Sequence, residues 1–133
     1  IYGGEMSAHH YFRDFMACDS GMIPWLLVVE LLSRRGQTLA SLIDARRAAF
    51  PSSGEINFRV DDVPAAVARV EAAFEADATS RDDTDGLSLA FDTSRFNLRA
   101  SNTEPLLRLN VETRGNAELL ARKVEEIRAQ IER

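Results

Sequence analysis

Seven consecutive residues, Arg99-Ala100-Ser101-Asn102-Thr103-Glu104-Pro105, place three short hydrogen-bonding side chains in a row beside a guanidinium, with Arg108 following shortly after. Ser, Asn and Thr settle readily into turns, where backbone N–H groups can converge on an anion. Two guanidinium forks add charge-assisted, bidentate donors of the kind that match phosphate oxygens. Arg99, Ser101, Asn102, Thr103 and Arg108 therefore form a candidate phosphate cradle. The same composition also suits an ordinary hairpin turn with solvated arginines. Which of the two applies depends on where the flanking elements point the arginines.

Phe96, Leu98 and Ala100 alternate with polar residues, and so do Leu107, Leu109 and Val111, which predicts strands over 95–100 and 106–111. Asn97 and Arg99 then share the face opposite the first apolar set, and Arg108 and Asn110 the face opposite the second. With the apolar faces packed on helices, both arginines stand on the open face beside the loop.

The helices are legible upstream and downstream. Ile56, Phe58 and Val60 alternate as a strand. Asp61 and Asp62 cap a helix whose stripe is Val63, Val67, Val70 and Phe74. Residues 77–85 are acidic and unpatterned and read as a solvated loop. Leu87, Leu89 and Phe91 alternate again, and Asn116 caps a last helix with the stripe Leu120, Val124, Ile127 and Ile131. The order is β-α-β-β-β-α. It predicts an α+β fold, a four-stranded antiparallel sheet with two helices on one face.

The first eighteen residues are rich in Gly, His and aromatics without a clean period, and read as a loop with a short strand. Asp19-Ser20-Gly21 then supplies an N-cap, Pro24 fits a first turn, and a helix runs to about Arg35, where Gly36 ends it. Thr38 caps a second helix to about Arg47. Pro51-Ser52-Ser53-Gly54 breaks the pattern and is taken as a domain boundary, dividing residues 1–50 from 51–133.

Composition narrows the class. The chain has 133 residues, 45% hydrophobic and 28% charged, as in a soluble globular protein. A net charge of −5 argues against nucleic acid or an anionic membrane as partner. The longest apolar run, from Met22 to Leu32, contains Glu30 and is too short to span a bilayer, so it reads as a buried core helix. Cys18 is the single cysteine, which excludes an internal disulfide and suits a reducing, cytoplasmic setting. An inert half-buried thiol is the expected role for it. The chain begins without Met, inside what reads as a motif, so a piece of a longer protein is expected.

Gly4-Glu5-Met6-Ser7-Ala8-His9 resembles the sugar-recognition loop of the α-D-phosphohexomutases, Gly-Glu-Met-Ser-Gly-His, and residues 99–105 match that family's phosphate loop, Arg-x-Ser-Asn-Thr-x-Pro. Both motifs occur in the family's order, the first in the third of four domains and the second in the fourth. The resemblance spans the chain. It makes residues 1–50 the tail of the third domain and the rest the fourth. Met6 is the form typical of the branch that handles both mannose and glucose phosphates. Ala8 departs from the usual Gly. Either that position is not left-handed here, or the loop is slightly reshaped.

The resemblance implies phosphomannomutase/phosphoglucomutase chemistry, moving a phosphoryl group between the 1 and 6 positions of a hexose through a bisphosphorylated sugar. Glu5 and Ser7 would bind sugar hydroxyls, a carboxylate being able to accept two O–H bonds. His9 would contact substrate or assist proton transfer, or serve only as a structural loop histidine. The cradle would grip the phosphate that is not reacting, and the fourth domain would close as a lid. The partners implied are a phosphorylated glucose or mannose and the upstream domains. The family's phosphoserine and its Mg²⁺, held by an Asp-rich loop, belong to those upstream domains. No Asp-x-Asp-x-Asp run occurs here, and Ser52-Ser53-Gly54 lacks the phosphoserine context, so the chain alone is expected to be inactive. The other reading is a non-enzymatic α+β module that binds a partner or another anion.

Overall fold

A computed structural model describes residues 2–5, 8–101 and 104–133. They divide into two compact units, Ile1–Asp44 and Ala45–Arg133.

In the first unit, three short strands, β1 (Tyr2–Gly4), β2 (His10–Phe12) and β3 (Cys18–Asp19), form an antiparallel sheet in that order. The expectation of a loop with one short strand is corrected: segments this short carry no readable period, and backbone pairing across the turns makes them strands. Met16 and Ala17 turn the chain between β2 and β3 with φ of 54° and 55°. Cys18 is exposed, not half-buried. Helix α1 (Met22–Arg35) follows, and Ser20 Oγ accepts a hydrogen bond from the Ile23 N–H at 3.3 Å. Gly36, at φ 59°, closes the helix with its N–H on the Leu32 carbonyl. Helix α2 (Leu39–Ala49) begins in this unit, its first turn capped by Thr38 Oγ1, which accepts from the Ser41 N–H at 3.2 Å.

The second unit is the α+β sandwich that the alternation predicts. Strand β4 (Ser52–Arg59) leads into α3 (Val63–Phe74). Strands β5 (Ser80–Asp82), β6 (Leu87–Ala90), β7 (Ser94–Ala100) and β8 (Leu106–Thr113) follow, and then α4 (Ala117–Ile131). All pairings are antiparallel, in the order β4-β8-β7-β6-β5. The sheet thus has five strands where four were expected. The fifth, β5, lies inside the stretch expected as a loop. Its backbone pairs with β6, and Arg81 ties it to Glu71 and Glu75 at the end of α3 and to Asp83. Every β5 side chain is exposed, so no apolar period marks it.

β4 also starts earlier than expected, at Ser52 within the breaker cluster. A register shift between Ser52 and Glu55 absorbs Gly54 at φ 64°. That is a bulge, which keeps pairing while reorienting the strand.

One core joins the two layers. Phe58, Leu87, Leu89, Phe96, Leu98, Leu107, Leu109 and Val111 from the sheet meet Ala66 and Val70 of α3 and Ile127 and Ile131 of α4. Each buried Leu or Phe among them contributes about 1.5–3 kcal/mol. Because alternate residues of every long strand enter this one cluster, both helices cover the same face of the sheet. Asp62 and Asn116 cap the helices through their side chains, accepting from the Ala65 and Leu119 N–H groups at 2.9 and 2.8 Å. Arg69 of α3 donates to the carbonyls of Gln130 and Ile131 and so satisfies the end of α4. No described helix is long and apolar enough to cross a membrane.

Candidate functional site

The core consumes the apolar side of β7 and β8, so their other residues line the open face. Phe96 and Leu98 are buried while Asn97 and Arg99 are half-buried on the far side; Leu107, Leu109 and Val111 are buried while Arg108 and Asn110 are half-buried opposite them. Ala100, expected with the apolar set, is exposed at the strand's end. The register sets Arg99 directly across from Arg108. The two predicted guanidiniums therefore stand side by side where β7 and β8 open into the loop. Ser101 closes the end of the pairing by donating its N–H to the Leu106 carbonyl at 2.8 Å. Asn102 and Thr103 lie outside the described residues.

Two acidic residues that the sequence reading left aside complete the cluster. Glu55 of β4 has Oε2 3.5 Å from Nη2 of Arg99 and Oε1 3.9 Å from Nε of Arg108. Asp85, in the turn before β6, accepts from Nη1 of Arg99 at 3.3 Å. That turn is held by Asn97, whose Nδ2 donates to the Asp85 carbonyl at 2.7 Å and to Ser88 Oγ at 3.0 Å. Gly86, at φ 79°, lets the turn lie against β7: a Cβ there would sit 2.6 Å from the Leu98 carbonyl oxygen and 2.7 Å from Cβ of Arg99. Glu55 alternates with Ile56, so its face was readable. Its proximity to Arg99 was not, because that needs the order of β4, β8 and β7.

The other predicted residues lie in the first unit. Ala8 has φ 65°, so the position is left-handed and carries a Cβ that such a backbone disfavours, at a cost of about 1 kcal/mol. Of the two alternatives for the Ala-for-Gly change, the non-left-handed one is excluded. The turn is closed by the Ala8 N–H on the Glu5 carbonyl at 3.1 Å and the Glu5 N–H on the His9 carbonyl at 2.9 Å. Glu5 Oε1 accepts from the Tyr11 hydroxyl at 2.7 Å, and this bond raises the Tyr11 phenol above its ordinary pKa. Ser7 lies outside the described residues.

His9 is not a bare loop histidine. Its Nδ1 is 2.6 Å from Oδ2 of Asp19, while Oδ1 of Asp19 accepts the His10 N–H at 2.8 Å. The pairing of Tyr11 with Asp19 between β2 and β3 brings the carboxylate to this place. The hydrogen bond to Asp19, and then its charge, hold the imidazole above its ordinary pKa of 6.5. The same bond, first among its causes, holds the Asp19 carboxyl below its ordinary range. A His–carboxylate pair of this kind fixes ring orientation and presents the other nitrogen, Nε2, for contact or proton exchange. Asp19 was read from sequence only as part of a helix cap; it lies ten residues from His9, and only strand pairing brings them together.

Among the described residues, no group of three or more His, Cys, Asp or Glu side chains could hold a metal ion.

Comparisons with known proteins cover both segments that contain the motifs. Residues 1–50 match the model of phosphoglucomutase/phosphomannomutase, alpha/beta/alpha domain III, and residues 55–130 match phosphoglucomutase/phosphomannomutase, C-terminal domain. The chain is 63% identical over 127 residues to a protein described as phosphohexose mutases from Xanthomonas campestris pv. campestris, strain B100, covering 96% of this chain and 28% of that one. It is 62% identical over 127 residues to a phosphomannomutase of Salmonella montevideo, with the same coverage. It is 58% identical over 129 residues to one of Escherichia coli, covering 97% and 28%. The crystal structure of a phosphoglucomutase/phosphomannomutase family protein from Burkholderia thailandensis superposes with a TM-score of 0.71 at 25% identity, covering 98% of this chain and 28% of that one. The chain thus spans a little over a quarter of the length of these relatives. With two adjoining family models matched in order along its length, this chain belongs to the phosphoglucomutase/phosphomannomutase family.

Proposed function

We propose that this chain supplies the substrate-holding part of a phosphomannomutase/phosphoglucomutase that interconverts hexose 1-phosphate and hexose 6-phosphate. The observation that carries this reading is the pair Arg99 and Arg108, directly opposed on the open face at the mouth of the β7–β8 turn. Both guanidiniums are partly exposed, with ionic partners among the described residues no nearer than 3.3 Å, so phosphate oxygens can compete for their donors. Ser101, Asn102 and Thr103 add hydroxyl, amide and backbone donors.

In this reading the cradle grips the phosphate at the end of the sugar that is not reacting. Binding energy far from the reacting bond orients the other end for transfer. The bisphosphorylated intermediate must reverse between the two transfers, and a near-symmetric phosphate fits such a cradle from either end. Glu5 and Ser7 take sugar hydroxyls. His9, oriented by Asp19, contacts the substrate through Nε2 and can carry a proton there. Closure of the second unit over the sugar excludes water. The Mg²⁺ and phosphoserine implied by the resemblance belong to other domains of such an enzyme. A cytoplasmic setting, with no nucleic-acid or membrane partner, is part of the same reading.

The test is a titration of glucose 1-phosphate and mannose 1-phosphate into isotope-labelled chain, followed by amide and arginine side-chain resonances. Peaks of residues 99–103 should move, and Arg99→Ala should weaken binding by about 1.5–3 kcal/mol, the loss of one charge-assisted contact. If those peaks stay still at high ligand while others shift, the cradle assignment is wrong. In that case the non-enzymatic module that binds a partner or another anion becomes the better reading.

A further inference from the structure

Arg99, Arg108 and Glu55 come from three adjacent strands, β7, β8 and β4, with β8 in the middle. Arg99 lies directly across from Arg108, and like charges set opposite each other on neighbouring strands are destabilising. Glu55 is registered with Asn110, on the side of β8 away from Arg99. To reach Arg99 its side chain must pass over β8, and it does: Oε2 is 3.5 Å from Nη2 of Arg99 while Oε1 is 3.9 Å from Nε of Arg108. One carboxylate oxygen thus faces each guanidinium.

The three side chains are alike in burial, 26% exposed for Glu55, 28% for Arg99 and 30% for Arg108. Asp85, the other acid beside Arg99, is 74% exposed, so its attraction is the more strongly screened by solvent. Nε of Arg108 is itself buried, and no acceptor among the described residues lies within hydrogen-bond distance of it. Its nearest carboxylate oxygen is that of Glu55, too far for a hydrogen bond and near enough for charge pairing.

We propose that Glu55 is a positioning residue whose carboxylate stands in for the phosphate: it holds the two guanidiniums together over β8 while the cradle is empty, and competes with the phosphate for them when the sugar arrives. The proposal rests on the phosphate-binding reading and adds to it a cause for release. Two arginines without a counter-charge would repel each other when empty and hold a dianion tightly when filled. A fixed carboxylate between them offsets both effects. It keeps the donors in place before binding and weakens the grip afterwards, which suits a site that must let one phosphate go and take the other.

Calorimetric titration of the full chain with glucose 1-phosphate and with inorganic phosphate, at low ionic strength, tests this. The proteins compared are the unaltered chain, Arg99→Ala, Glu55→Gln and Glu55→Ala. Glu55→Gln keeps the side chain's shape and an acceptor oxygen but removes the charge. It should lower Kd about five- to tenfold, an effect that shrinks as salt is added. Glu55→Ala should also tighten binding, and Arg99→Ala should weaken it. Without ligand, Glu55→Gln should melt at a lower temperature than the unaltered chain, and saturating phosphate should close that gap. A residue that merely supported the strand would lower the melting temperature without tightening binding. If both Glu55 variants bind within about twofold of the unaltered chain or more weakly, while Arg99→Ala still weakens binding, the role given to Glu55 is overturned and the phosphate reading stands. If the unaltered chain binds neither ligand, the phosphate reading falls, and this proposal with it.

Discussion

At the scale of single residues, the His9–Asp19 pair shows how a side chain's neighbours set its chemistry. His9 has a folded pKa raised above 6.5, so protonated His9 favours the folded state. Its contribution is fully present below pH 6.5 and is lost as pH rises through the raised value. Asp19 is shifted the other way, below 3.8. Its contribution is present above pH 3.8 and is lost as pH falls through the lowered value. The pair therefore supports the first unit best between these two ordinary values, and both groups are exposed, so the effect is modest. Asp19→Asn should bring the His9 pKa back toward 6.5, followed by imidazole proton resonances across pH. If His9 titrates at the same pH in both proteins, Asp19 does not tune it. Ala8 makes a related point: its left-handed backbone is kept without the glycine that would relieve it, held by hydrogen bonds from both sides of the turn.

At the scale of elements, the turn between β5 and β6 is what brings Asp85 to Arg99. Its backbone lies so close to β7 that only glycine fits at position 86, where the φ of 79° also disfavours a side chain. Gly86→Ala would drive a methyl into the Leu98 carbonyl and the Arg99 backbone. It should destabilise the second unit by roughly 1–3 kcal/mol and weaken phosphate binding together with stability. Urea denaturation, read beside a phosphate titration, checks this. Unchanged stability would mean that the turn yields more readily than its packing implies. β5 itself shows why edges escape sequence reading. Its side chains are all exposed, and it owes its place to backbone pairing with β6 and to the Arg81 ion pairs.

At the scale of the whole molecule, the chain forms two compact units, Ile1–Asp44 and Ala45–Arg133, and two adjoining models of one family match residues 1–50 and 55–130, while the chain covers 28% of the relatives' length. In the proposed reading the described residues supply binding groups: the guanidiniums of Arg99 and Arg108, the Glu5 carboxylate and the His9 imidazole paired with Asp19. Phosphoryl transfer needs more than positioning: a group to receive the phosphoryl and positive charge to offset it. We therefore expect the chain by itself to bind hexose phosphates without interconverting them. A coupled assay with glucose 1-phosphate, Mg²⁺ and a catalytic amount of the hexose bisphosphate should show no product above background. Turnover by the purified chain would show that its own residues supply the missing groups.

The sequence by itself determined the long elements, because burial of one face imposes a period: the stripes of α3 and α4, the alternation in β4, β6, β7 and β8, and hence the α+β class. The side-chain caps at Asp62 and Asn116 were equally local. Alternation also set Arg99 and Arg108 on the face away from the core, and the two motifs pointed to the family. Only the tertiary structure decided the rest, because contacts between residues far apart in the chain depend on strand order and register. β5 has no period to read. Asp19 reaches His9 through β2–β3 pairing, and Glu55 reaches Arg99 by crossing β8. Arg99 and Arg108 were thus legible as a pair on one face, but the acid beside them was not, since its place follows from which strand lies beside which.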